Sequence, residues 1–140
     1  MKLLDANVLI AAASQNHPHH PVARSFIQTA RSRGLRLCLT TITAMAFLRI
    51  MTHAKLHAQP LNVTQAIQWL QALERSSNLR WLHPELGHLE RLLKLAPRLG
   101  GNLINDAHLA ALALEHGATL VSFDRDFEQF RGLRLELLRG

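Results

Sequence analysis

At 140 residues and 48% hydrophobic composition, the chain has the length of one ordinary domain and enough apolar side chains for a core of its own. Sixteen Lys and Arg stand against ten Asp and Glu, a formal charge of +6 with nine His besides, which favours a polyanionic partner without identifying one. The single Cys38 excludes an internal disulfide framework and fits a reducing cytoplasm, and no window approaches the roughly 18 uncharged apolar residues of a membrane span.

Residues 1–4 and 8–13 mimic a secretion signal, but Asp5 and Asn7 interrupt the apolar run and leave it too short. Lys2–Leu4 instead reads as a short strand ending at Asp5, and residues 7–13 as the start of a helix. The stretch His17, Pro18, His19, His20, Pro21 breaks the pattern, and a second helix follows over 22–32, closed by Gly34. Residues 35–39 are apolar and short, as a buried parallel strand should be. Thr40 or Thr41 can cap the next helix, which runs through Thr52.

Pro60 and Asn62 mark a turn before a helix over 64–75, whose Ile67, Leu70 and Leu73 share one face. A third strand is predicted at 79–82 and a helix at 85–95, ending near Pro97, with a loop at Gly100 and Gly101. Ile104–His116 is an Ala- and Leu-rich helix stopped by Gly117. The strand 119–123, a helical turn at 126–130 and a last strand at 133–137 complete the chain. Strands and helices alternate without repeat or linker, which predicts an α/β fold: one domain over 1–140, an α/β/α sandwich of three layers around a central, mainly parallel sheet.

In an open parallel sheet, ligands gather at the carboxyl ends of the strands. Asp5 ends the first predicted strand, Asp124 ends the strand 119–123 with Asp126 just beyond, and Asp106 opens the Ala-rich helix. Each acid alone has a plain explanation, as a helix cap, a dipole partner or a turn residue. Three such caps have no reason to share one sheet edge. Converging carboxylates repel one another unless a cation lies between them, and oxygen-rich sites favour Mg²⁺ or Mn²⁺. Such a cation neutralises a scissile phosphate and lowers the pKa of attacking water, so no protein nucleophile is needed.

Asp5-Ala6-Asn7-Val8-Leu9 resembles the D-x-N-V-L opening of PIN domains, and the run from Asn105 to Ala111 resembles their D-A-x-L-A-A helix. Ser122-Phe123-Asp124-Arg125-Asp126-Phe127 resembles their T-x-D-x-D-F strand end, and Phe47-Leu48-Arg49-Ile50 with Thr52-His53 resembles a helix of VapC toxins. The resemblance covers the whole chain. It implies an endoribonuclease toxin with Asp5, Asp106 and Asp124 as metal-site acids, Asp126 as an auxiliary acid, and Asn7 and Ser122 holding those groups by hydrogen bonds. It also implies RNA as substrate, often transfer RNA, contacted by Arg49, with a homodimer and a cognate VapB-type antitoxin as partners.

One element of the family pattern is missing. The glutamate usual on the helix before F-L-R falls at Ala44, and no acid occurs between Asp5 and Glu74 to replace it. A natural loss and a Glu→Ala replacement made to tame a toxic nuclease both fit, and the intact remaining motifs favour the second. Either way the resemblance implies impaired cleavage. Two rivals follow: a catalytically inactive RNA-binding or antitoxin-sequestering module, and a phosphatase-like phosphotransfer domain using Asp5, which would want an acid where Asn7 stands.

The basic residues form two sets, Arg24, Arg31, Arg33 and Arg36 around the second helix, and Arg49, Lys55 and His57 near the end of the third. Either could line an RNA groove through phosphate contacts, although solvated faces explain most single arginines. His17, His19 and His20 lack an H-E-x-x-H pattern or a nearby Cys, so no zinc site is expected there. His108 could point at the acidic site or pack, and Trp69 and Trp81 are expected to pack.

Overall fold

A computed structural model describes residues 1–95 and 101–139. The elements, in order, are β1 (Lys2–Leu4), α1 (Ala6–Ala13), α2 (His20–Ser32), β2 (Leu37–Leu39), α3 (Thr41–Thr52), α4 (Val63–Ser76), β3 (Arg80–Trp81), α5 (His88–Leu95), α6 (Ile104–His116), β4 (Thr119–Ser122) and β5 (Leu135–Leu137). Short 3₁₀ turns at Gly101–Leu103 and Arg125–Gln129 flank α6 and β4. The expected helix end near Pro97 and the loop residue Gly100 lie outside the described residues.

The five strands form one sheet in the order β3-β2-β1-β4-β5, every pair parallel. Leu3 lies opposite Cys38 on one side and Leu120 on the other, and Leu120 opposite Leu135. Side chains alternate across the sheet. Leu4, Leu37, Leu39 and Val121 face a core closed by Val8 and Leu9 of α1, Ile27 of α2, Phe47 of α3 and Leu70 of α4. Leu3, Cys38 and Leu120 face the other side, under Ala107, Ala110 and Leu112 of α6 and Phe127. The three layers are those the alternation predicts.

Boundaries moved where local signals met tertiary context. Pro21 does not keep the helix from starting: α2 begins at His20 with the proline in its first turn, where no N–H is needed. The second strand pairs only from Leu37, since Leu35 is 38% exposed and lies outside the ladder. The edge strand β3 is just two residues long. The fifth helix starts at His88 rather than at 85, and the helical turn after β4 is 3₁₀, over Arg125–Gln129.

Candidate active site

The sheet order reverses between β1 and β4: the chain proceeds outward through β2 and β3 on one side and through β5 on the other. That crevice at the carboxyl ends is where an open parallel sheet holds its ligand. Asp5 leaves β1 there as the N-cap of α1, its Oδ1 accepting the Ala6 N–H at 2.7 Å. Its own N–H reaches across to the carbonyl of Val121 at 3.0 Å, which fixes β1 against β4 just below the site.

Ser122, fully buried at the end of β4, joins the two strands through its side chain. Its hydroxyl donates to Asp5 Oδ2 at 2.7 Å and accepts from Asn7 Nδ2 at 3.1 Å and from the Asp124 N–H at 2.9 Å. One donated and two accepted bonds are all a hydroxyl can make. Asn7 Oδ1 in turn accepts the Phe123 N–H at 3.3 Å. Ser122 thus bonds one of the acids directly, whereas Asn7 bonds Ser122 and the Phe123 N–H and reaches no carboxylate.

Asp124 caps the turn that follows, its Oδ1 accepting the Asp126 N–H at 2.9 Å. That turn folds Asp126 back, and Asp106 enters from the first turn of α6. Asp106, Asp124 and Asp126 each present an oxygen, all within 4.8 Å of one another. Burial, together with the charges of Asp5, Asp124 and Asp126, pushes the Asp106 carboxyl up to about 6. Burial also raises Asp5, with a further push from Asp124, against the lowering effect of the Ser122 and Ala6 hydrogen bonds.

Asp106, in the first turn of α6, thus feels the charges of the other three acids, and Asp5 at the end of β1 feels that of Asp124. The tight trio contains Asp126, which sequence reasoning ranked as auxiliary, and Asp5 stands behind it, held by Ser122. The signal that could have promoted Asp126 was the Asp-x-Asp spacing, because a capping first acid folds the second toward it. Among the described residues, no other group of three His, Cys, Asp or Glu has ligand atoms this close, the histidines of 17–20 included.

Other expected residues fall elsewhere. Ala44 lies in the first turn of α3 with no exposed surface, enclosed by the apolar cluster that includes Leu4, Val8 and Phe47. Arg49 is exposed in the last turn of α3, about 12 Å along the helix from its start at the usual rise per residue. His108 turns toward α5, where its Nδ1 meets His88 Nε2 at 2.9 Å, and His88 Nδ1 is bonded to the buried Glu115. Trp69 packs on Phe47, ring centroids 5.2 Å apart, and Trp81 gives its indole N–H to Glu74 at 2.8 Å. Both oxygens of Asp5 accept a hydrogen bond, from Ala6 and Ser122, and Asn7 stands where a phosphotransfer site would want an acid.

The PIN-domain profile matches residues 2–133. The ribonuclease VapC37 of Mycobacterium tuberculosis is 36% identical over 140 residues, covering 96% of this chain and 94% of that protein. The ribonuclease VapC31 of the same organism is 33% identical over 136 residues, covering 96% of each. Among solved structures, VapBC2 from Rickettsia felis, bound to a DNA fragment from its promoter, superposes with a TM-score of 0.73 at 19% identity, covering 99% of this chain and 98% of that one. The sarcin-ricin loop cleaving toxin VapC20 of Mycobacterium tuberculosis superposes at 0.68 and 15% identity, covering 96% and 99%. These two likenesses support the fold, and the sequence relationships carry the assignment: the chain belongs to the PIN-domain family, among its VapC-type ribonucleases.

Proposed function

We propose that this chain is an endoribonuclease toxin of the VapC type, acting as a single PIN domain, that hydrolyses RNA with a divalent cation held by its acidic cluster. The observation that carries this reading is the crowding of Asp106, Asp124 and Asp126 at the switch point of the sheet, with Asp106 raised to about 6 by burial and by the charges of Asp5, Asp124 and Asp126. Like charges so close are costly in a bare protein and fit a hard, oxygen-seeking cation such as Mg²⁺ or Mn²⁺. Asp106, Asp124 and Asp126 would hold it, with Asp5 alongside. When bound, such a cation neutralises charge on the scissile phosphate and acidifies the attacking water.

The protein's own groups supply the rest. Ser122 holds Asp5 Oδ2, and the Ala6 N–H holds Oδ1, which orients that carboxylate and offsets part of the upward push of its burial. Asn7 ties α1 to the end of β4, so the acids of two strands move as one unit. Ala44 contributes no oxygen, so turnover is expected to fall below that of an Ala44→Glu protein, while the four remaining acids keep the cation site. The substrate class is RNA, in keeping with the ribonucleases that the chain resembles along its length, with transfer RNA the first to test.

A VapB-type antitoxin is the proposed protein partner, in keeping with the VapBC complexes of the same fold. An arginine or lysine from it would pair with the acid cluster. A separate cavity of about 470 Å³ between α1, α2 and α4 has an apolar floor of Ala12, Ile27, Trp69 and Leu73 and a rim that includes Arg24 and Arg31. It suits an amphipathic helix with acidic flanks. A homodimer and a cytoplasmic setting complete the proposal.

The test is cleavage of transfer RNA by the chain and by Asp124→Asn, each with Mn²⁺ and with EDTA. Cleavage that requires metal and is lost in the variant supports the reading, and cleavage indifferent to EDTA overturns it. Metal-free protein that binds RNA while Ala44→Glu also fails to cut would favour the inactive binding module.

A further inference from the structure

At the amino edge of the sheet, opposite the acids, the fold adds Arg75 and Arg80 to the arginines that follow the second helix. Arg31 and Arg33 end α2, Arg36 precedes β2, Arg75 ends α4 and Arg80 opens β3. Arg31, Arg36 and Arg75 line one cavity of about 380 Å³ with Gly34, Leu35 and Asn78. Arg80 lies opposite Cys38 in the β2–β3 register, and the Arg36 carbonyl accepts the Lys2 N–H at 2.8 Å, which sets both residues at the amino ends of neighbouring strands.

Among the described residues, none of these five arginines is in an ion pair. The neighbouring carboxylate of Glu74 is bonded to the Trp81 indole. A cation in the last turn of a helix complements its dipole, which accounts for Arg31 and Arg75. It does not account for Arg36 and Arg80, which lie outside the helices. Nor can the cluster serve the cut itself: α2 runs 13 residues, about 20 Å, from His19, which stacks on Phe123 beside the acids, down to Arg33.

We propose that this amino-edge cluster is a second RNA contact, holding the phosphate backbone of a folded RNA at a distance from the bond being cut. The identity of the polyanion rests on the ribonuclease reading above, and the cluster itself does not. Its lining favours nucleic acid over a protein segment. Protein interfaces need an apolar centre, and of the residues in this cavity only Leu35 is aliphatic. A phosphate backbone needs only cations, and guanidinium groups pair with phosphates two bonds at a time. The cluster would thus select RNAs long enough and folded so as to reach both edges.

The experiment compares the intact chain with the triple variant Arg33→Gln, Arg36→Gln, Arg75→Gln, leaving Arg31 because its Nε bonds Ser77 Oγ at 3.1 Å. Thermal melts establish that both fold. Binding of transfer RNA is read in EDTA by fluorescence anisotropy across salt concentrations, with duplex DNA and polyaspartate as competitors. The variant is expected to bind transfer RNA about tenfold more weakly or worse, with a log–log salt slope smaller by about 2 to 3. Both proteins are expected to cut a single-stranded hexanucleotide in Mn²⁺ at equal rates, because it cannot span the two edges.

Equal affinity and slope for transfer RNA would overturn the proposal. So would a wild-type preference for duplex DNA over transfer RNA, or displacement of the RNA by polyaspartate as effective as by RNA itself. If neither protein cuts the hexanucleotide, the ribonuclease reading fails on its own, and the binding difference still decides the cluster.

Discussion

Replacing Asp106 by Asn should stabilise the metal-free protein and remove its response to metal. Folding raises this carboxyl from its ordinary 3.8 to about 6, by burial first and then by the charges of Asp5, Asp124 and Asp126. A raised acid favours the folded state when protonated, so its contribution is intact below pH 3.8 and is lost as pH rises through about 6. A rise of that size corresponds to roughly 3 kcal/mol at most. The side chain is partly exposed and screened by solvent, so about 1 kcal/mol is the figure to carry forward. Asparagine mimics the protonated form, and Asp106→Asn should therefore melt about 3 °C higher than the parent at pH 7.5 in EDTA. The gain should vanish at pH 4, where the parent is itself protonated. Saturating Mn²⁺ should invert the order, raising the parent and leaving the variant nearly unmoved. The assay is a set of thermal melts from pH 4 to pH 8 with and without Mn²⁺. A variant less stable than the parent at pH 7.5 in EDTA, or an equal Mn²⁺ shift in both, would refute the reasoning.

Ser122→Ala should cost about 2 kcal/mol in urea unfolding, because it strips a buried donor from Asp5 Oδ2 and leaves Asn7 Nδ2 without its acceptor; a loss below about 0.5 kcal/mol would show the network to be incidental. Ala44→Glu should cleave transfer RNA at least about tenfold faster than the parent, at a stability cost of about 1 to 3 kcal/mol for overpacking an enclosed position, and equal rates in two folded proteins would show that position 44 lies outside the chemistry. Glu115→Ala, which leaves the buried His88 Nδ1 without its hydrogen-bond partner while Nε2 keeps His108, should destabilise by about 2 kcal/mol, and unchanged unfolding curves would count against that contact as a tie between α5 and α6.

The local sequence determined much of this protein. Period and punctuation placed every strand and helix within a few residues, and the acids at strand ends announced the site, because an acid following a short apolar run falls at the edge of a sheet wherever that strand pairs. The positions of Asp5, Asn7, Asp124 and Asp126 were legible for that reason. Pro21 misled because its cost depends on where in a helix it falls, and the fold put it in the one turn that tolerates it. The tertiary structure alone decided the strand order that creates the switch point, the bond of Ser122 to Asp5 across 117 residues of chain, and the turn that draws Asp126 into the trio. It also enclosed Ala44 in the core, turned His108 toward α5, and gathered Arg75 beside Arg31 and Arg36. Hydrophobic period is written residue by residue. Charge repulsion, pKa and cation binding depend on distances between groups far apart in the chain, and those exist only once the sheet has closed its register.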